Sequence, residues 1–121
     1  MRIEALHHVQ LAMPVGQEDQ ARAFYGKLLG FREVAKPAEL AARGGVWFEN
    51  EMVRVHLGVE KTFQPARKAH PAFQVAGLEG LRSILSGANV DITPDSALPG
   101  YNRFYAQDPF GNRLEFLEPE A

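Results

Sequence analysis

Read two residues at a time, several stretches of the chain separate into one apolar and one polar face, the signature of strands with one side turned to a core. Between Leu6 and Ala12, His8 and Gln10 alternate with Val9 and Leu11; between Val53 and Val59, Arg54 and His56 alternate with Val53, Val55, Leu57 and Val59. The pattern returns at His70–Ala76, where His70 and Gln74 oppose Phe73 and Val75, and at Tyr101–Gln107, where Arg103 and Tyr105 oppose Phe104. It closes the chain at Asp108-Pro109-Phe110-Gly111-Asn112, a turn feeding Arg113–Leu117, in which Leu114 and Phe116 face one way and Arg113 and Glu115 the other. Taken alone, this describes a half-solvated sheet.

Helical spacing replaces alternation in two places. Glu18 and Asp19 suit a first turn, Ala21, Phe24, Tyr25, Leu28 and Leu29 make an apolar stripe, and Gly30 is a left-handed stop. Leu78, Leu81 and Leu85 mark a second, shorter helix ended by Gly87. Strands are expected at 31–35, 45–49 and 90–93, a turn at Asn50-Glu51, and loops at 38–44 and 94–100. The stretch 60–69, with Pro65, Arg67 and Lys68, has no period and reads as a linker.

The order strand, helix, three strands therefore occurs twice, and the spacing repeats with it. From first histidine to helix-ending glycine is 22 residues in one half and 17 in the other; from that glycine to the polar residue of the last strand is 26 and 28. His8 thus corresponds to His70, and His56 to Glu115. The expected fold is α+β: two βαβββ modules, about 4–60 and 70–119 with 61–69 between them, in one domain over 1–121, forming a curved mixed sheet around a cleft.

If equivalent strands converge, His8, His56, His70 and Glu115 meet. These side chains suit borderline divalent ions such as Zn, Ni, Mn, Co or Fe. Without a cation, clustered imidazoles leave donors and acceptors mismatched and an enclosed carboxylate is costly. Alternation sends His7 to the apolar face and leaves it out. An ion with open positions would chelate adjacent oxygens of a small substrate and stabilise an enediolate or other oxyanion. Around it, Glu115, His56 and Tyr105 are the candidate acid–base groups, and Gln10, Arg54, Gln74 and Arg103 the candidate substrate contacts. Arg67 and Lys68 read as solvated charges. Trp47 shares a face with Glu49, and lines the cleft, contacts a second chain or joins the core.

Composition narrows the field. The 121 residues carry a net charge of −2 and no cysteine, so nucleic acid and anionic membranes are disfavoured as partners, and thiolate chemistry and disulfides are excluded. With no apolar run long enough for a signal or a span, an intact cytoplasmic protein is expected.

The sequence resembles the vicinal oxygen chelate superfamily, which includes glyoxalase I, fosfomycin-resistance thiol transferases, extradiol dioxygenases and bleomycin-resistance proteins. The resemblance lies in His8-Val9-Gln10-Leu11-Ala12, Phe24-Tyr25-Gly26-Lys27-Leu28-Leu29-Gly30-Phe31, His70-Pro71-Ala72-Phe73 and Asp108–Glu115. It implies metal ligands from the first, fifth and eighth strands, here His8, His70 and Glu115. Glyoxalase I adds a fourth-strand glutamate where this chain has His56, a departure that bears on proton shuttling. It also implies a homodimer, often with clefts built from modules of two chains. The implied activity is that of a metal-dependent lyase or isomerase. The alternatives are an Fe(II) extradiol dioxygenase, for which Tyr105 matches a family tyrosine, and a metal-free protein that sequesters a small molecule. Fosfomycin modification fits less well, since Gln10 replaces the threonine of that group and the chain ends six residues after Glu115.

Overall fold

The computed structural model describes residues 1–121, which form two compact units, Met1–Gln64 and Pro65–Ala121. The first contains β1 (Val9–Met13), α1 (Glu18–Ala21) continuing as a π-helical stretch (Arg22–Leu28), β2 (Arg32–Val34), α2 (Ala38–Ala41), β3 (Val46–Glu49) and β4 (Arg54–Val59). The second contains β5 (Ala72–Gln74), α3 (Leu78–Gly87), β6 (Ile92–Asp95), β7 (Tyr101–Gln107) and β8 (Arg113–Pro119).

Each unit has one open, curved four-stranded mixed sheet, in the orders β1-β4-β3-β2 and β5-β8-β7-β6. The registers superpose the two halves. His56 pairs across the parallel ladder with Gln10 and across the antiparallel ladder with Trp47; Glu115 pairs likewise with Ala72 and Tyr105. His8 and His70 each lie two residues before the β1 and β5 partners, so the equivalences counted from the sequence are those of the fold. The same registers make Tyr105 the counterpart of Trp47.

In the first unit Leu11, Met13, Val46, Phe48, Val55 and Leu57 are buried together with Phe24 and Tyr25 of the helical stretch. The Tyr25 and Phe48 rings stack at 5.7 Å. The π-type bond from Leu29 N–H to the Phe24 carbonyl and the positive φ of Gly30 end that stretch. Gly45 is required twice over: its φ is +87°, and a Cβ there would stand 2.2 Å from the Leu57 carbonyl oxygen. Its N–H donates to Glu18, so that carboxylate ties helix to sheet as well as opposing the helix dipole. In the second unit Leu78 and Leu85 of α3 are buried with Phe104, Ala106, Leu114 and Phe116.

Several boundaries differ from the sequence expectation. Pairing in β1 starts at Val9 and in β5 at Ala72, so His8 and His70 precede their strands. The 38–44 connection contains α2. The 90–93 strand is displaced to Ile92–Asp95 and includes Pro94, expected in a loop; β6 is an edge strand, where a missing N–H is tolerated. Gly87 is the last helical residue, and the left-handed position after α3 is taken by Asn89 at φ 62°. Asn50 makes the expected turn by accepting from the Met52 and Val53 N–H groups.

Candidate metal centre

On the polar face of the first sheet three rings form a stack. The Trp47 indole lies parallel to His56, with centroids 3.9 Å apart and planes 4° apart. His8 stacks on the other side at 4.3 Å. The registers explain the first contact: β4 lies between β1 and β3, and Trp47 and His56 are direct cross-strand partners. Sandwiched this way, His56 is 8% exposed, and its pKa falls from 6.5 to about 4. Burial is the main cause, followed by repulsion from His8, His7, Lys36 and Arg54. The ring is therefore neutral near neutrality, the form in which imidazole ligates metals.

His7 does not follow the strand alternation expected of it, because pairing begins only at Val9. It is exposed, with Nδ1 3.0 Å from Nδ1 of His8, so one of the two nitrogens carries the proton. That contact occupies His8 Nδ1, and Nε2 offers a lone pair when the shared proton sits on His8. Arg54 donates to the His7 carbonyl at 3.2 Å. Gln10 lies over Gly58, where a Cβ would come within 2.5 Å of its amide nitrogen.

The second sheet holds the equivalent pair. His70 Nδ1 stands 2.8 Å from the Lys68 carbonyl oxygen and Nε2 stands 2.9 Å from Glu115 Oε1. A carbonyl can only accept, so Nδ1 carries a proton; Nε2 faces the carboxylate either with a second proton that bonds it or with a bare lone pair. A bare lone pair and a carboxylate repel unless a proton or a cation joins them. A separation near 3 Å is also what two donors at about 2.1 Å from one ion, at right angles, would show. A backbone acceptor fixing the tautomer of a ligating histidine is the usual outer support of a metal site.

Glu115 is 5% exposed. Its second oxygen accepts from Arg103 Nη1 at 3.1 Å, and Arg103 Nη2 stands 3.4 Å from Asp95. Arg103 Nε is buried without a partner. The residue expected to contact substrate is thus engaged in holding Glu115. Tyr105 meets the His70 ring edge-on at 5.4 Å. Gln74 is exposed on the same face, opposite Leu117.

The turn before β8 sets this geometry. Asp108 Oδ1 accepts from the Phe110 and Asn112 N–H groups, and Asn112 Nδ2 donates to Asp108 Oδ2. Fully buried Asn112 also accepts from the Ala66 N–H, while the Ala66 carbonyl accepts from Arg113 N–H. The linker preceding His70 is thereby fastened to the hairpin. Sequence reasoning took Asp108–Asn112 as a turn and missed this fastening; an Asp and an Asn flanking Pro-Phe-Gly was its only signal.

The structure thus brings His8 together with His56 in the first unit, and His70 together with Glu115 in the second. No group of three or more His, Cys, Asp or Glu side chains is arranged to hold an ion.

Residues 5–116 match the profile of the Glyoxalase/Bleomycin resistance protein/Dioxygenase superfamily. The chain belongs to that superfamily. Among solved structures, a candidate glyoxalase family protein from Bacillus anthracis is 46% identical, with a TM-score of 0.95 over 99% of this chain and 98% of that one. A lactoylglutathione lyase from Agrobacterium tumefaciens shares the fold at 18% identity, with a TM-score of 0.73 over 97% and 95% of the two chains. The fosfomycin resistance protein FosX from Listeria monocytogenes, as an E126Q mutant in complex with Mn(II) and 1S,2S-dihydroxypropylphosphonic acid, shares it at 14%, with a TM-score of 0.81 over 98% and 95%. Comparison with proteins of curated function gives no match. No helix is long and apolar enough to cross a membrane.

Proposed function

We propose that this member of the superfamily is a divalent-metal-dependent enzyme of glyoxalase type, a lyase or isomerase acting on a small molecule with adjacent oxygens. The observation that carries the reading is the His70–Glu115 pair. Its imidazole is fixed at Nδ1 by a backbone carbonyl, which leaves Nε2 directly against a buried carboxylate. His8 and His56 are the counterparts of that pair by register, and are the further donors we assign to metal binding. The ion would be Zn, Ni, Mn, Co or Fe, and the Mn(II) complex of FosX supports a metal role for the shared fold. We further propose that the chain forms a homodimer.

When bound, the ion supplies Lewis-acid stabilisation of negative charge developing on substrate oxygen. The protein's own groups do the rest. Arg103 holds one Glu115 oxygen and so fixes the carboxylate's orientation. Tyr105, edge-on to His70, presents its hydroxyl as a hydrogen-bond donor, and Gln10 and Gln74 are the amides available to substrate oxygens. His56, neutral down to about pH 4, ligates through a lone pair and is a poor proton carrier at neutrality, unlike a glutamate. Arg54, engaged with the His7 carbonyl, steadies the segment that carries His8.

A second reading, a metal-free protein that sequesters a small molecule, is favoured by one observation: both Glu115 oxygens already have protein partners. Untagged protein dialysed against each candidate metal and analysed by plasma mass spectrometry separates the two. The enzyme reading expects about one ion per chain, lost in His70→Ala and Glu115→Gln and accompanied by a dimer in sedimentation. Substoichiometric ion with every metal, in a protein that still binds small molecules, refutes it. Cleavage of catechols by anaerobically iron-loaded protein would instead assign dioxygenase chemistry.

A further inference from the structure

Beside the donor pair of the second unit is a pocket of about 210 Å³ whose lining includes Arg67, Asp91, Thr93, Tyr105, Gln107 and Arg113. Alternation places Arg113 on the same sheet face as Glu115, two residues away, hence about 7 Å along the strand. The Arg113 guanidinium lies 3.9 Å from the Tyr105 ring centroid. Neither Arg113 nor Arg67 has a carboxylate within ion-pair distance, in contrast to Arg103 on the same face. Two guanidiniums in one small concavity, with only Asp91 to offset them, leave a net positive charge. Guanidinium forks match planar and tetrahedral oxyanions. Thr93 and Gln107 add uncharged donors at the wall.

We propose that this pocket is an oxyanion subsite: it receives a carboxylate or phosphate group carried by the substrate, while the substrate's adjacent oxygens lie at the Glu115 end of the same face. The inference rests on the proposed enzymatic reading and deepens it, by making the substrate a small anionic oxygenated molecule. Tyr105 then stands between the two parts, with its ring supporting Arg113 and its edge against His70. Arg67 reaches the pocket because the Asn112–Ala66 bond fastens the linker to the hairpin. A surface reading of Arg67 and Arg113 predicts no saturable anion binding at all.

The test uses the full-length protein after chelation, with inorganic phosphate and malonate as probes at fixed ionic strength. Binding is followed by calorimetry and by the Nε–H resonances of the two arginines. The expected result is saturable binding that perturbs both resonances, weakens about tenfold in Arg67→Gln and in Arg113→Gln, and tightens several-fold in Asp91→Asn. Arg67 and Asp91 are exposed, so their variants keep the fold if Arg113→Gln does not. Tighter binding of phosphate than of malonate assigns a phosphorylated substrate, and the reverse a carboxylate. Non-saturable shifts, or affinities indifferent to all three substitutions, overturn the proposal. Metal loading of the same variants is measured separately: intact loading without anion binding removes the subsite alone, and anion binding without loading removes the metal reading alone.

Discussion

Replacing His56 by Phe tests how the stack on the first sheet affects stability. Phe keeps a flat ring between Trp47 and His8 and removes the titrating nitrogen. In the folded protein the His56 pKa is about 4, against 6.5 when unfolded. A depressed histidine pKa means that the fold prefers the neutral ring. Above pH 6.5 both states are neutral and His56 contributes no pH dependence. As pH falls from 6.5 to 4 the unfolded chain takes up a proton that the folded chain refuses, and stability drops by up to about 1.4 kcal/mol per pH unit. Below pH 4 both states are protonated and the loss is complete, at about 3 kcal/mol. Asp95, lowered from 3.8 mainly by the Ala97 N–H, loses its contribution only below that window. Urea unfolding of wild type and His56→Phe, in chelator from pH 8 to pH 4.5, isolates the effect, because the carboxylates titrate alike in both. The wild type should become progressively less stable relative to the variant below pH 6.5. Parallel curves, together with a His56 resonance titrating near 6.5, would refute the reasoning.

Three further outcomes are expected. Glu115→Gln should lower metal affinity more than about 100-fold by dialysis and mass spectrometry, with a stability loss of about 1–3 kcal/mol, since Arg103 retains Asp95. Asn112→Ala should cost about 2–4 kcal/mol in urea, and weaken metal binding about 10–100-fold by releasing the segment that carries the Lys68 carbonyl and His70. Gly45→Ala should lower stability by about 3 kcal/mol or more in thermal unfolding, from its left-handed backbone and the contact with the Leu57 carbonyl.

The fold was legible because alternation and repeat spacing are written in residue identity. His8, His56, His70 and Glu115 fall at matched registers, as counting indicated, and β7 begins and ends where its alternation does. Boundaries were not legible where hydrogen bonding, rather than polarity, decides them: His7 and His8 precede the first pair of β1, and Pro94 is strand only because β6 lies at an edge. The site's supports were hidden for a similar reason. The Lys68 group that matters to His70 is a main-chain carbonyl, which no residue name announces, and Arg103 holds Glu115 through a cross-strand geometry that exists only once β7 and β8 pair. Arg67, read from the linker as a solvated charge, lines a pocket because a buried asparagine 45 residues further along fixes its neighbour.

The chain contains a single tryptophan, and that indole lies flat against His56 at 3.9 Å. Its emission is therefore a native optical reporter on one imidazole, sensitive to any charge the ring acquires. A fluorimeter and unlabelled protein suffice to follow occupancy at this histidine in real time.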